Sequence, residues 1–223
     1  MTDLRLVIFD VDGTLIDSQA HILAAMQLAF GGQGLTMPPR EQVLGQVGLS
    51  LEVIFPNLVP DGSAELHAAL VQGYKDAFMH NRIKAGPTGG VQFYPGALDV
   101  VNTLHAQPET LLGIATGKSK RGLDKMLESH GLSNLFVTQQ VADFHPSKPH
   151  PAMLHQALAD TGVARENAVM IGDTSYDMEM AKAAGLFAIG VTWGYHRAEQ
   201  LTAADVVISH FHELHAVLDT FWG

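Results

Sequence analysis

One pattern constrains this chain more than any other. A short apolar run ends in a small or polar residue, a segment with helical spacing follows, and the unit then repeats. Residues 4–9 (Leu-Arg-Leu-Val-Ile-Phe) form the first run, which ends in Asp10-Val11-Asp12-Gly13-Thr14. Residues 110–115, 135–138, 168–171, 187–191 and 205–208 read as further strands. Helices are expected over 118–130, 151–160 and 175–184, closed at or near Gly131, Gly162 and Gly185, with another after Pro95 and a last one near 213–220. Short strands with little polar alternation need cover on both faces, and intervening helices supply it. The expectation is an α/β fold, a Rossmann-like parallel sheet with helices on both faces.

The pattern is interrupted once. Ser18 is placed to cap a helix carrying Ile22, Leu23, Met26 and Phe30, which Gly31-Gly32 ends. Residues 36–83 contain no convincing strand. Pro38-Pro39 opens a short helix, and Asp61 or Ser63 opens a longer one through Leu66, Leu70, Tyr74 and Phe78. Residues 85–90 are rich in Gly and Pro and read as a linker. The simplest organisation is a catalytic core made of residues 1–17 and 88–223, interrupted by an inserted helical domain at 18–87.

Composition narrows the function classes. The 223 residues include no cysteine, which excludes disulfides, thiolate metal sites and thiol catalysis. A formal charge of −10 argues against a nucleic-acid backbone as partner. No apolar run reaches membrane-spanning length, and the first residues do not read as a signal peptide, so a cytoplasmic location is expected.

Ligands of open α/β sheets bind outside the carboxyl ends of the strands. The residues placed there are Asp10 and Asp12 after the first strand, Thr116 after the second, and Asp173 with Asp177 after the fourth. Lys148 opens the helix before that fourth strand. Two carboxylates about 4 Å apart repel by roughly 4 kcal/mol at an effective dielectric of about 20. Several of them sharing one site therefore call for a cation, and an all-oxygen donor set suits Mg2+.

Asp10-Val11-Asp12-Gly13-Thr14-Leu15 resembles the first motif of the haloacid dehalogenase superfamily of phosphatases. Ala115-Thr116-Gly117 resembles its second motif, Lys148-Pro149-His150-Pro151 its third, and Gly172-Asp173-Thr174-Ser175-Tyr176-Asp177 its fourth. All four occur in order across nearly the whole chain. The resemblance implies that Asp10 is the nucleophile and that Asp12 is the acid and base. Thr116, Gly117 and Lys148 would hold the phosphate with Gly13 beside it, and Lys118, two residues past Thr116, would reach leaving-group oxygens or else be solvated at the surface. Asp10, Asp12 (through its carbonyl), Asp173 and Asp177 would hold or support magnesium. An acid at Asp12 favours phosphoesters over the halide leaving groups of the dehalogenases.

The helical block between the first two motifs resembles the cap of the phosphoglycolate phosphatase-like and phosphoglucomutase-like groups, which implies a small phosphorylated metabolite and a monomer or weak homodimer. Gly45-Gln46-Val47-Gly48-Leu49-Ser50 resembles the cap segment that meets substrate, and Gly48 is its candidate contact; a plain helix-breaking turn is an equal reading. Arg40, Lys75, Arg82 and Lys84 are candidates to meet an anion, and residues 86–90 to act as a hinge. Gly190 to His196 resembles the phosphoglycolate phosphatase branch more than the mutases. Phosphoglycolate is thus the lead substrate. The alternatives are a β-phosphoglucomutase-type mutase, or a pyrophosphatase or nucleotidase on the same core. A signalling receiver domain would also gather acids, a Thr and a Lys around magnesium, but receivers are about half this length and carry the accepting Asp in mid-chain.

Overall fold

β1 (Arg5–Phe9) shows why its run lacks strict polar alternation. Val7 and Phe9 enter one core, and Leu6 and Ile8 enter another on the opposite face, all fully buried. In the computed structural model, which describes residues 4–85 and 91–223, β1 lies inside a six-stranded sheet. Its order is β5 (Thr138–Val141), β4 (Thr110–Thr116), β1, β6 (Ala168–Gly172), β7 (Phe187–Val191) and β8 (Val206–Ile208). Every pairing is parallel, so every strand delivers its C-terminal residue to the same edge.

Helices α5 (Ala97–His105), α6 (Lys120–Ser129) and α9 (Leu214–Trp222) cover one face through Val101, Leu123 and Leu214. Helices α7 (Ala152–Thr161) and α8 (Ser175–Ala184) cover the other through Leu154 and Met178. This is the expected α/β sheet with helices on both faces. Gly162 and Gly185 end α7 and α8 in the left-handed region, at φ 68° and 75°.

Between β1 and β4 the chain leaves the sheet through the two-residue strand β2 (Ile16–Asp17) and returns through β3 (Gln92–Phe93), which pairs antiparallel with it. The excursion between them is helical: α1 (Gln19–Gly32), α2 (Arg40–Leu44), α3 (Leu51–Leu58) and α4 (Ala64–Ala85). It has a core of its own around Phe30, Phe55 and Leu70. Gly73 of α4 lies against Ala29 of α1, where an added Cβ would meet the Ala29 Cα at 3.5 Å, so the two helices approach closely. The hinge read at 86–90 lies outside the described residues.

The structure differs from two local expectations and decides a third. The strand expected at 135–138 is displaced to Thr138–Val141. Leu135 and Phe136 belong instead to a turn that plugs the core. The real strand is polar: the Gln140 amide donates to Thr138 Oγ1 and to Asp160 Oδ2, both at 2.7 Å, so a buried glutamine is satisfied inside a strand. Ser18 precedes α1 without capping it, because its hydroxyl is bonded to the Tyr195 hydroxyl at 2.9 Å. Of the two candidate caps of α4, Ser63 is the one that accepts from the Leu66 amide, at 3.2 Å.

Candidate active site

Asp10 follows directly on β1, and its amide still donates to the Ile171 carbonyl of β6 at 2.9 Å. Its position is therefore fixed by two strands. The chain then turns back on itself, with the amides of Leu15 and Ile16 donating to the Val11 carbonyl. Gly13 sits at φ +91°, and a Cβ there would lie 2.3 Å from Asp173 Oδ2, so only glycine fits this turn. Thr14 Oγ1 donates to Asp173 Oδ1 at 2.9 Å and ties the turn to the end of β6.

The other Asp173 oxygen accepts from the Tyr195 amide at 2.8 Å. Gly194 makes this approach possible, since a Cβ on it would lie 2.2 Å from the Asp173 Cβ. Asp177 stands one turn into α8 and forms a capping box with Thr174, whose hydroxyl donates to Asp177 Oδ2 at 2.6 Å. Its Oδ1 accepts from Lys148 Nζ at 2.7 Å. The same fully buried ammonium lies 2.8 Å from Asp10 Oδ1 and so bridges two acids.

Among the described residues, Asp10, Asp173 and Asp177 form one group in which one carboxylate oxygen from each lies within 4.8 Å of the other two. At that separation a pair repels by about 3 kcal/mol at an effective dielectric of 20. Lys148 offsets one of the three charges, leaving two unmatched. Burial pushes Asp10 up to about 6, against the lowering effect of Lys148 and with Asp177 and Asp12 adding to the rise. Burial also raises Asp173 well above the carboxylate range, with Asp177 and Asp10 reinforcing it. For Lys148 burial acts downward, but Asp10 and Asp177 outweigh it and the ammonium is held more firmly than usual. Apart from Lys148 at 2.8 Å, neither Asp10 oxygen has a hydrogen-bond partner among the described residues. A buried carboxylate short of partners, an all-oxygen donor set and two unmatched negative charges fit a hard divalent cation.

The Asp12 side chain lies outside that group. Both its oxygens are held by Lys118 Nζ, at 2.7 and 2.9 Å. Lys118 reaches it from just beyond β4, where buried Thr116 accepts from the Lys118 amide at 3.3 Å. Gly117 faces the helical insertion, and a Cβ on it would strike the Gly48 carbonyl at 2.6 Å. Gly48 itself has φ +104°, and a Cβ there would lie 3.2 Å from Thr174 Oγ1. The segment 45–50 thus lies across the strand ends rather than forming a remote turn.

The ten candidate residues therefore gather at one edge of the sheet. Three contacts hold segment 45–50 there, and a fourth orients one of the residues that make them. The Gly45 carbonyl accepts from the Tyr176 hydroxyl at 3.0 Å and contacts His196 Nε2 at 3.2 Å. His196 Nδ1 accepts from the Ser175 amide at 3.1 Å, which leaves the proton of a neutral ring on Nε2, facing Gly45. The Ser50 amide donates to Ser147 Oγ at 2.9 Å, next to Lys148. Thr14, Thr174 and Tyr176 stand inside the motifs and His196 ends the 190–196 segment, but nothing in the sequence signalled that Tyr176 and His196 meet Gly45. Of the insertion's basic residues, Arg40 bonds Gln19 and Lys75 bonds Glu52, both at the surface; the side chains of Arg82 and Lys84 lie outside the described residues.

A parallel sheet with a helical excursion after its first strand, and buried acids gathered at its carboxyl edge, defines a class of α/β hydrolytic enzymes. The chain belongs to the haloacid dehalogenase-like hydrolase family, whose model matches residues 7–191. It is 36% identical over 222 residues to the probable phosphatase IndB of Dickeya dadantii, covering 96% of this chain and 94% of that one. It is 31% identical over 228 residues to the phosphoglycolate phosphatase of Aliivibrio fischeri, covering 97% of each. A haloacid dehalogenase-like family protein from Streptococcus pneumoniae superposes with a TM-score of 0.82 at 27% identity, over 97% of this chain and 99% of that one.

Proposed function

We propose that the chain is a magnesium-dependent phosphatase that hydrolyses a small phosphate monoester through a phosphorylated Asp10. Phosphoglycolate-like esters are the lead substrates. The observation that carries this reading is the state of Asp10, which is buried with Lys148 as the one partner of its carboxylate among the described residues. A carboxylate solvated by nothing but one ammonium is primed to attack an electrophile. The similarity to the phosphoglycolate phosphatase of Aliivibrio fischeri supports the choice of lead.

Asp10, the Asp12 carbonyl and Asp173 would hold magnesium, with Asp177 supporting them. When bound, the ion supplies Lewis-acid polarisation of the phosphoryl oxygens and offsets the two unmatched charges. In the first half-reaction an Asp10 oxygen forms a bond to phosphorus while the bond from phosphorus to the leaving oxygen breaks. Asp12 gives its proton to that oxygen. In the second half a water oxygen attacks phosphorus, Asp12 takes the water proton, and the bond from Asp10 to phosphorus breaks to release inorganic phosphate. Lys148, the Thr116 hydroxyl and the Gly117 amide stabilise the transferring group. Residues 18–87 act as a cap on a core of 1–17 and 88–223, with Gly48 at the contact, and exclude bulk water during the transfer.

The test is phosphate release from a panel of small phosphoesters, with and without magnesium, by wild type and Asp10→Asn. The expected result is magnesium-dependent release that the variant abolishes. Release that survives in Asp10→Asn contradicts the reading. Glucose 1-phosphate with a bisphosphate activator belongs in the panel, because conversion to glucose 6-phosphate faster than phosphate release would assign a mutase instead.

A further inference from the structure

The loop that follows β7 carries four successive residues with different partners. Trp193 belongs to the sheet: its ring lies 4.5 Å from that of Phe211, centroid to centroid, against the core of that face. Its Nε1 donates to the Thr14 carbonyl at 3.0 Å. Gly194 is pressed against Asp173, where no side chain would fit. The Tyr195 amide donates to Asp173 Oδ2 at 2.8 Å, but the Tyr195 ring packs against the core of the helical insertion. Its hydroxyl shares a hydrogen bond with Ser18 at 2.9 Å. His196 contacts the Gly45 carbonyl of the same insertion.

Two features make this loop more than packing. The first is a closed ring of contacts around Asp173. Thr14 Oγ1 donates to Asp173 Oδ1, Trp193 holds the Thr14 carbonyl, and the Tyr195 amide returns to Asp173 Oδ2. With Gly194 in contact as well, the carboxylate cannot shift unless the loop follows. The second is the position of Ser18. It is fully buried between β2 and α1, where the chain leaves the core for the insertion, and its hydroxyl does not cap α1. Tyr195 therefore holds Asp173 with its backbone and the root of the insertion with its side chain.

We infer that Tyr195 is a positioning residue that couples cation binding at Asp173 to docking of the helical insertion. The inference rests on the magnesium reading above. In the metal-free protein Asp10, Asp173 and Asp177 repel one another, and Lys148 offsets one charge of the three. A divalent cation draws the three carboxylates inward. Asp173 then carries the Tyr195 amide with it, and the Tyr195 hydroxyl carries Ser18. The coupling is reciprocal: the docked insertion favours the cation by the same factor as the cation favours docking.

The experiment titrates Mg2+ alone into wild type, Tyr195→Phe, Ser18→Ala and the double variant, followed by calorimetry. Deuterium exchange of residues 45–50 is read for each protein with and without Mg2+. Neither substitution removes a candidate cation ligand or a donor to Asp173. The double variant deletes both hydroxyls and so leaves no buried group without its partner, which protects its folding. In wild type Mg2+ should slow exchange at 45–50, a result that needs no variant. In Tyr195→Phe the Kd for Mg2+ should rise about fivefold, the equivalent of one hydrogen bond, and the slowing should shrink by a similar factor. The double variant should bind no more weakly than the weaker single one, because both substitutions remove the same bond. A merely structural role would speed exchange with and without Mg2+ alike and leave the Kd unchanged. That outcome, an unchanged Kd in the double variant, or wild-type exchange indifferent to bound Mg2+ overturns the inference and leaves the magnesium reading intact. Absence of Mg2+ binding by wild type overturns both.

Discussion

Asp10 combines deep burial with a single charged partner, Lys148, and this has a measurable consequence in the metal-free protein. Its carboxyl is raised from an ordinary 3.8 to about 6, so the folded state binds this proton more tightly than the unfolded chain does. The sign follows directly. The stabilising contribution is fully present below pH 3.8 and is lost as the pH rises through about 6. The shift corresponds to a loss on the order of 3 kcal/mol at neutral pH. Asp10→Asn removes the charge, so the chelated variant should be more stable than chelated wild type above pH 6, and the two should converge near pH 4. Urea unfolding from pH 4 to 8 in the presence of a chelator checks this, and parallel curves would contradict it. The positions of the four acids were legible in the sequence, because short apolar strands in a parallel sheet must deliver their next residue to one edge. The partners of Asp173 were harder to read. Thr14 and Tyr195 lie 159 and 22 residues away from it, and only the fold brings both to the same carboxylate.

At the scale of elements, segment 45–50 and the first turn of α8 behave as one interlocked unit. The Gly45 carbonyl meets both Tyr176 and His196, and His196 in turn holds the Ser175 amide. Each such bond contributes about 1 kcal/mol. Removing Tyr176 Oη and His196 Nε2 together, in a Tyr176→Phe and His196→Ala variant, should loosen the segment and leave the sheet intact. Amides of residues 45–50 should then exchange with deuterium faster, KM should rise severalfold, and protection of β1 and β4 should not change. Uniformly faster exchange would instead mark a general loss of stability. The sequence identified the two glycines of this segment but not what it docks against, since hydrophobic periodicity says nothing about two donors converging on a carbonyl. It failed at β5 for the opposite reason. There a polar strand is stabilised by the network of Thr138, Gln140 and Asp160, while the apolar residues just before it belong to a turn.

At the scale of the whole molecule, a chain with a formal charge of −10 must draw an anionic substrate to a site that is itself acidic. Two ammonium groups meet that requirement: fully buried Lys148 between Asp10 and Asp177, and partly buried Lys118 on Asp12. Magnesium would supply the remaining positive charge. The sheet presents these groups at one edge, and the helical excursion covers that edge through segment 45–50. On the proposed mechanism Asp10 itself becomes phosphorylated. The most direct measurement is an acid quench of Asp12→Asn given p-nitrophenyl phosphate, whose leaving group departs without a proton, so that the covalent intermediate forms yet is hydrolysed slowly; mass spectrometry of the peptide spanning residues 4–17 follows. The account predicts a magnesium-dependent mass increase of one phosphoryl group on Asp10. Phosphate released with that peptide unmodified, or a phosphoryl group found on any other residue, would contradict it.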